Sequence, residues 1–174
     1  MSEIIYYISL GRNCTPRITI KNRFGFSKKR GYLSLPFDLC ITRFDSLCEI
    51  LENDFSTFFD GLKIIKWPNA DGDRTLAGPG NTCIRNKAGI IFNHEGAGHS
   101  HLFKDGTNDD EFYTKNNFKN FRIRYSKRIQ NIQNIFKKAN VVTFVYTGDN
   151  FNENIIENII KKKYNIKSIN FIKV

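Results

Sequence analysis

Apolar positions change their spacing several times along the chain, and each change marks an element. Residues 4–8 are an unbroken β-branched and aromatic run, as in a strand buried on both faces. Gly11 then permits a tight turn. Thr15-Pro16 opens a short helix over 15–23, because the N–H that proline lacks would go unpaired in a first turn anyway. Phe24-Gly25-Phe26 ends that helix, and Pro36 keeps residues 33–38 from continuing as another. From Ile41 the period becomes helical: Phe44, Leu47, Ile50, Leu51, Phe55, Phe58 and Phe59 recur at steps of three and four. This predicts an amphipathic helix over 41–59, with Ser46-x-x-Glu49 as a capping box or Asp45 as the cap, closed by Asp60-Gly61.

The middle of the chain loses this regularity. Residues 62–67 predict a short strand or arm packing Trp67, and 68–81, rich in Gly, Pro, Asp and Asn, predict a loop. Ala88 to Phe92 predict a second strand after a turn at Asn86-Lys87, and 102–114 an acidic loop. The clearest helical stripe follows, through Phe118, Phe121, Tyr125, Ile129, Ile132, Ile135 and Phe136, with a basic opposite face. Val141 to Tyr146 predict a buried strand, 153–164 a helix with Ile155, Ile156, Ile159 and Ile160 inward, and 168–174 a closing strand. Strand, helix and strand with short links form a βαβ unit, and the first strand, turn and helix have the same grammar. The pattern therefore predicts one α/β domain over residues 1–174. Its mostly parallel sheet would be flanked by helices in a Rossmann-like three-layer arrangement, with a loop-rich middle section. Ligands of such sheets meet the carboxyl ends of the strands, which is where Cys14, His94 and Asp149 fall.

Composition narrows the class. The 174 residues, 40 % hydrophobic with 16 Phe and 7 Tyr, suit one sizeable core. No apolar run approaches the roughly 20 residues needed to span a bilayer, and Glu3 with the break at Gly11 is unlike a secretory signal. Reduced thiols in the cytoplasm are therefore expected. Cysteines 14, 40, 48 and 83 lack the paired short spacing of a zinc ribbon or a disulfide scaffold. The net charge of +10 is uneven: residues 12–30 and 115–138 each carry many Lys and Arg and no acid. Such clusters attract nucleic acid, anionic membrane or acidic substrates, or are the solvated faces of a lysine-rich protein.

Two stretches carry candidate chemistry. Cys14 stands where a strand hands over to a helix, and a helix N-terminus beside Arg12 and Arg17 favours thiolate, the form that attacks electrophiles. The alternative is an inert buried thiol. All three histidines, His94, His99 and His101, lie close together, followed by Asp105 and Asp109. Their spacing fits no closed zinc motif, so no metal or cofactor is expected; the reading is a histidine-bearing loop of which one member works.

Four motifs stand in order: Ser9-Leu10-Gly11-x-x-Cys14, Pro36-Phe37-Asp38, Phe92-x-His94-Glu95 and Arg124-Tyr125-x-x-Arg128-Ile129. Through them residues 4–147 resemble the domain-of-unknown-function 1796 family of bacteria and large DNA viruses, described as papain-like cysteine peptidases. Leu39 is a departure, since the resemblance leads one to expect tryptophan there. The resemblance implies a thiol hydrolase acting on a peptide or other acyl substrate, in the host cytoplasm if the source is a virus, with Cys14 as nucleophile and His94 as general base. Such a base needs a third polar group to orient it. Asp38 is favoured for that role, with Asp149 and Glu95 open. Asn13 or the backbone N–H of Cys14 would donate to an oxyanion, with Gly11 and Arg12 in the same substrate-binding turn. Arg124 and Arg128 are candidate anion-binding side chains, or the exposed and rim positions of an amphipathic helix. A second class of function remains beside the hydrolase: a non-catalytic binding module using 12–30 and 115–138 for nucleic acid or a phosphorylated ligand. A phosphate-ester enzyme cradling its anion at Gly11 would be a third, but no Gly-x-Gly-x-x-Gly or Walker loop accompanies it.

Overall fold

A computed structural model describes residues 5–66, 82–95 and 111–174 of the chain. In chain order its elements are β1 (Ile5–Leu10), α1 (Thr15–Asn22), α2 (Phe44–Glu52), β2 (Lys63–Lys66), β3 (Thr82–Arg85), β4 (Ile91–Phe92), α3 (Glu111–Lys138), β5 (Val141–Tyr146), α4 (Glu153–Lys161) and β6 (Ser168–Lys173). Trp67, the loop 68–81, His99, His101, Asp105 and Asp109 lie outside the described residues.

β1, β5 and β6 form a parallel sheet in the order β1-β5-β6, in register from Ile5 opposite Val141 and from Val141 opposite Ser168. Side chains alternate between the two faces of a strand. Ile8, Leu10, Val142, Phe144 and Tyr146 join the main core with Leu47, Ile50 and Leu51 of α2, Ile129, Ile132 and Phe136 of α3, and Ile156, Ile159 and Ile160 of α4. The opposite face carries Tyr7, Ser9, Thr143 and Val145; there α1 lies on β1 and β5, and Tyr7 stacks on Phe24. The expected class, α/β with a parallel sheet flanked by helices, is what the structure has. The described parallel sheet has three strands and the second sheet, β2-β3-β4, is antiparallel. The Rossmann-like three-layer form goes further than these strands do.

Several local expectations are corrected. β1 is buried on both faces only over Ile8 to Leu10, and Ile5 is exposed. The helix expected over 41–59 stops at Glu52, where Asp54 and Phe55 take positive φ. Residues 53–60 continue as turns closed by bonds from Ser56 N to Asn53 O, Phe58 N to Phe55 O and Asp60 N to Thr57 O. A three-residue turn repeat presents Phe55 and Phe58 to the core much as a helix would, which is why periodicity could not tell them apart. The capping box is absent: Arg43 is the N-cap, and Ser46 is a buried helical residue donating to the Ala88 carbonyl. The strand expected over 88–92 shortens to β4, the second arm of a hairpin whose first arm is β3. α3 is broken at 115–118, where Asn116, Asn117 and Phe118 are left-handed. Ile155, expected inward on α4, is exposed. Among the described residues no helix is long and apolar enough to cross a membrane.

Candidate active site

The parallel sheet positions the thiol. β1 runs out at Leu10 into a turn that only glycine fits at position 11, because a Cβ there would come within 2.5 Å of the Asn13 carbonyl oxygen. Asn13 Oδ1 accepts from Thr15 N at 2.9 Å, and Cys14 becomes the N-cap of α1, its carbonyl receiving Ile18 N at 3.1 Å. Cys14 is half-buried.

The antiparallel sheet positions the histidine. β4 ends at Phe92, and a turn closed by Glu95 N on the Phe92 carbonyl carries Asn93 and His94 outward. His94 Nε2 lies 3.3 Å from Cys14 Sγ, across 80 residues of sequence, and Asn93 Nδ2 lies 3.9 Å from the same sulfur. Asn93 Oδ1 is buried with no hydrogen-bond partner among the described residues.

Residues 41 and 42 join the two sides by backbone alone. Ile41 exchanges both N–H···O bonds with Ile91 of β4, at 2.9 and 3.0 Å, and Thr42 N donates to the Gly11 carbonyl at 3.2 Å. One short segment therefore fixes the turn that carries the thiol and the strand that carries the histidine.

Asp38 secures the loop leading into that segment. Tyr32 Oη donates to its Oδ1 and Leu35 N to its Oδ2, each at 2.9 Å, while Arg17 Nε of α1 stands 3.8 Å from Oδ2. None of these partners is His94, so Asp38 has no direct orienting contact to the histidine. Burial pushes its carboxyl up to about 6, against the opposing pull of the Leu35 N–H, Arg17, Tyr32 and Arg128. Burial also raises the Tyr32 phenol, which stays a donor. Arg17 lies over the Tyr32 ring at 3.7 Å, and Asn131 of α3 donates to the Ser34 carbonyl.

Glu95, 2 % exposed, is held by α3: Arg124 Nε stands 3.0 Å from Oε1 as an ion pair without hydrogen-bond alignment, and Arg128 Nη2 and Tyr125 Oη each lie at 3.4 Å. Arg124 and Arg128, candidates for an external anion, are thus placed on the chain's own carboxylate. Asp149 is exposed and paired with Lys173 at 2.8 Å, which holds its carboxyl below the usual range. Arg12 is exposed, its Cδ 3.8 Å from where a Cβ on Gly148 would lie, so it leans toward the β5–α4 link.

The other described thiols are inert by comparison. Burial pushes Cys40 up to about 12 and Cys48 up to about 11, and Cys83 is fully buried. Among the described residues no cluster of His, Cys, Asp or Glu is placed to hold a metal ion. Sequence reasoning singles out Cys14 and His94 but gives no role to Asn93, Tyr32 or the 41–42 bridge, and it sets Arg17 beside the thiol where the structure has it on Asp38 and Tyr32. Adjacency to His94 was the available signal for Asn93; the bridge is made of backbone groups and leaves no mark in side-chain pattern.

The family model described as "Putative papain-like cysteine peptidase (DUF1796)" matches residues 5–171. No curated protein and no solved structure matched the chain.

Proposed function

Because the chain belongs to the papain-like cysteine peptidase family DUF1796, we propose that it is a cysteine-dependent hydrolase or related acyl-transfer enzyme, with Cys14 as nucleophile and His94 as general base. The observation that carries this is the 3.3 Å approach of His94 Nε2 to Cys14 Sγ. A thiol–imidazole pair at that distance can exist as thiolate and imidazolium, the form that attacks an acyl carbon. The thiolate sulfur bonds to the carbonyl carbon and the C=O electron pair moves to oxygen. As the tetrahedral species collapses, the imidazolium of His94 gives its proton to the leaving amine and the C–N bond breaks, leaving a thioester on Cys14. His94 then takes a proton from water, whose oxygen attacks the thioester; collapse releases the acid and returns the thiol. Donors proposed for the oxyanion are the Asn13 and Asn93 side-chain amides and the backbone N–H of Cys14. A peptide is the substrate class that fits this family, and residues 1–174 act as one thiol-hydrolase domain.

The test is the pH profile of iodoacetamide alkylation, followed on the Cys14 peptide by mass spectrometry. Since Cys40 and Cys83 are buried and burial pushes the Cys48 thiol up to about 11, Cys14 is the described thiol expected to react at neutral pH. The wild-type midpoint is expected well below the reference of about 8.5 and to rise in His94→Ala, with Cys14→Ser losing hydrolysis of peptide probes while remaining folded. A midpoint indifferent to His94 would overturn the proposal.

A further inference from the structure

The turn that carries His94 is pinned at both ends. On the near side Ile91 is bonded to Ile41; on the far side the residue after His94 is Glu95, whose carboxylate is buried among Arg124, Arg128 and Tyr125 of α3. Neither the family description nor the Cys14–His94 distance accounts for placing a buried carboxylate between two guanidiniums at this point. A purely packing role would be met at lower cost by an apolar side chain, because replacing a buried ion pair with well-packed hydrophobes is often neutral or stabilising. What the ion pair supplies that a hydrophobe does not is direction: a charge-assisted bond from Arg128, the ion pair to Arg124 one helical turn away and the Tyr125 hydroxyl fix the carboxylate against the helix. Its backbone, and with it His94, is fixed too.

We propose that Glu95 is a positioning residue for His94, the clamp on α3 holding the imidazole at the Cys14 sulfur. The proposal rests on the Cys14–His94 reading and deepens it. It gives the family's fourth motif, Arg124-Tyr125-x-x-Arg128, the task of fixing the general base, in place of binding an external anion. Arg128 also reaches the other side of the site, since its charge is felt at Asp38. Tyr125, its phenol raised by burial, keeps its proton and remains a donor to Glu95.

Positioning and bare electrostatics make opposite forecasts. In Glu95→Gln, the uncompensated Arg124 and Arg128 would by charge alone favour the Cys14 thiolate and lower the alkylation midpoint. Loss of the imidazole's placement instead removes the thiolate's partner and raises it. The Cys14 iodoacetamide profile is measured on the full chain for wild type, His94→Ala, Glu95→Gln and the double variant Glu95→Gln/Arg128→Met, with circular dichroism to confirm folding. The double variant leaves no fully buried unpaired cation, and keeps the test open if Glu95→Gln does not fold. The expected result is a midpoint about one pH unit higher in each folded Glu95 variant, toward the His94→Ala value. A midpoint that falls, or stays at the wild-type value while His94→Ala rises, overturns the positioning role and leaves the Cys14–His94 pair standing. A wild-type midpoint that His94→Ala does not move takes down both.

Discussion

Loop 35–42 and turn 92–95 each bury a single carboxylate beside the candidate site, and they hold it by opposite means. Asp38 rests mainly on neutral donors, the Tyr32 hydroxyl and the Leu35 N–H at 2.9 Å, with Arg17 at 3.8 Å and Arg128 acting from farther off. Glu95 rests on two cations, at 3.0 and 3.4 Å, with Tyr125 Oη at 3.4 Å. The first arrangement tolerates a proton, because Tyr32 and the backbone can still pair with a neutral acid. The second is built around the charge. Two carboxylates flanking the same chemistry therefore answer differently to losing a cation.

The largest difference is expected on removing each arginine. Arg128→Met takes from the buried Glu95 the less exposed of the two cations that α3 sets against it. Breaking one side of a buried pair in this way costs about 3 kcal/mol of stability. Arg17→Met takes away a longer contact from a carboxylate that keeps both neutral donors, and about 1 kcal/mol is expected. Urea unfolding of both variants at pH 7.5 checks this; equal losses would erase the distinction.

pH tests the Asp38 side of the comparison. Asp38 is held at about 6 in the folded chain against an ordinary value of 3.8, so between those values the folded state binds a proton that the unfolded state lacks. Its contribution to stability therefore grows as pH falls from above 6 to below 4, and is lost as pH rises back through 6. A carboxyl raised that far changes stability by on the order of 3 kcal/mol across the window. The difference in unfolding free energy between wild type and Asp38→Asn, measured from pH 4 to pH 7, should carry that slope. A flat difference would show that Arg17 and the neutral donors offset the burial of Asp38 in full.

Both carboxylates were visible in the sequence, in the second and third motifs, but their partners were not. Periodicity located β1, α1, β5, α4 and β6, because their burial follows from side chains repeating at one fixed interval. It set Cys14 correctly at a strand-to-helix turn. It could not show that His94 arrives on a separate antiparallel sheet, or that Ile41 and Thr42 join the two sides, since those links are backbone bonds indifferent to side-chain type. Arg17 reads as a cation favouring the Cys14 thiolate, and Arg124 and Arg128 as anion-binding side chains or helix-rim positions; none of them reads as the partner of a buried carboxylate. Long side chains on a helix rim can turn inward, and a buried acid distant in sequence decides whether they do.

The smallest effect expected concerns backbone strain, which only one of the two regions carries. Leu39, directly after Asp38, sits at φ 54°, a left-handed conformation that a branched side chain adopts at a cost on the order of 1 kcal/mol. No residue of turn 92–95 has a positive φ. Glycine removes the Cβ penalty, while truncating the half-buried Leu39 gives up some packing and enlarges the unfolded ensemble. These oppose one another, so Leu39→Gly is expected to change stability by less than about 1 kcal/mol, where glycine at an unstrained loop position would be plainly destabilising. Equilibrium unfolding measures this directly. If Leu39→Gly instead loses several kcal/mol, the left-handed conformation is comfortable for leucine and the side chain's packing against the loop is what holds Asp38 in place. If the change is as small as expected, the loop is held by the bonds to Tyr32, Leu35 and Arg17 and by the 41–42 bridge, and position 39 serves only to turn the chain.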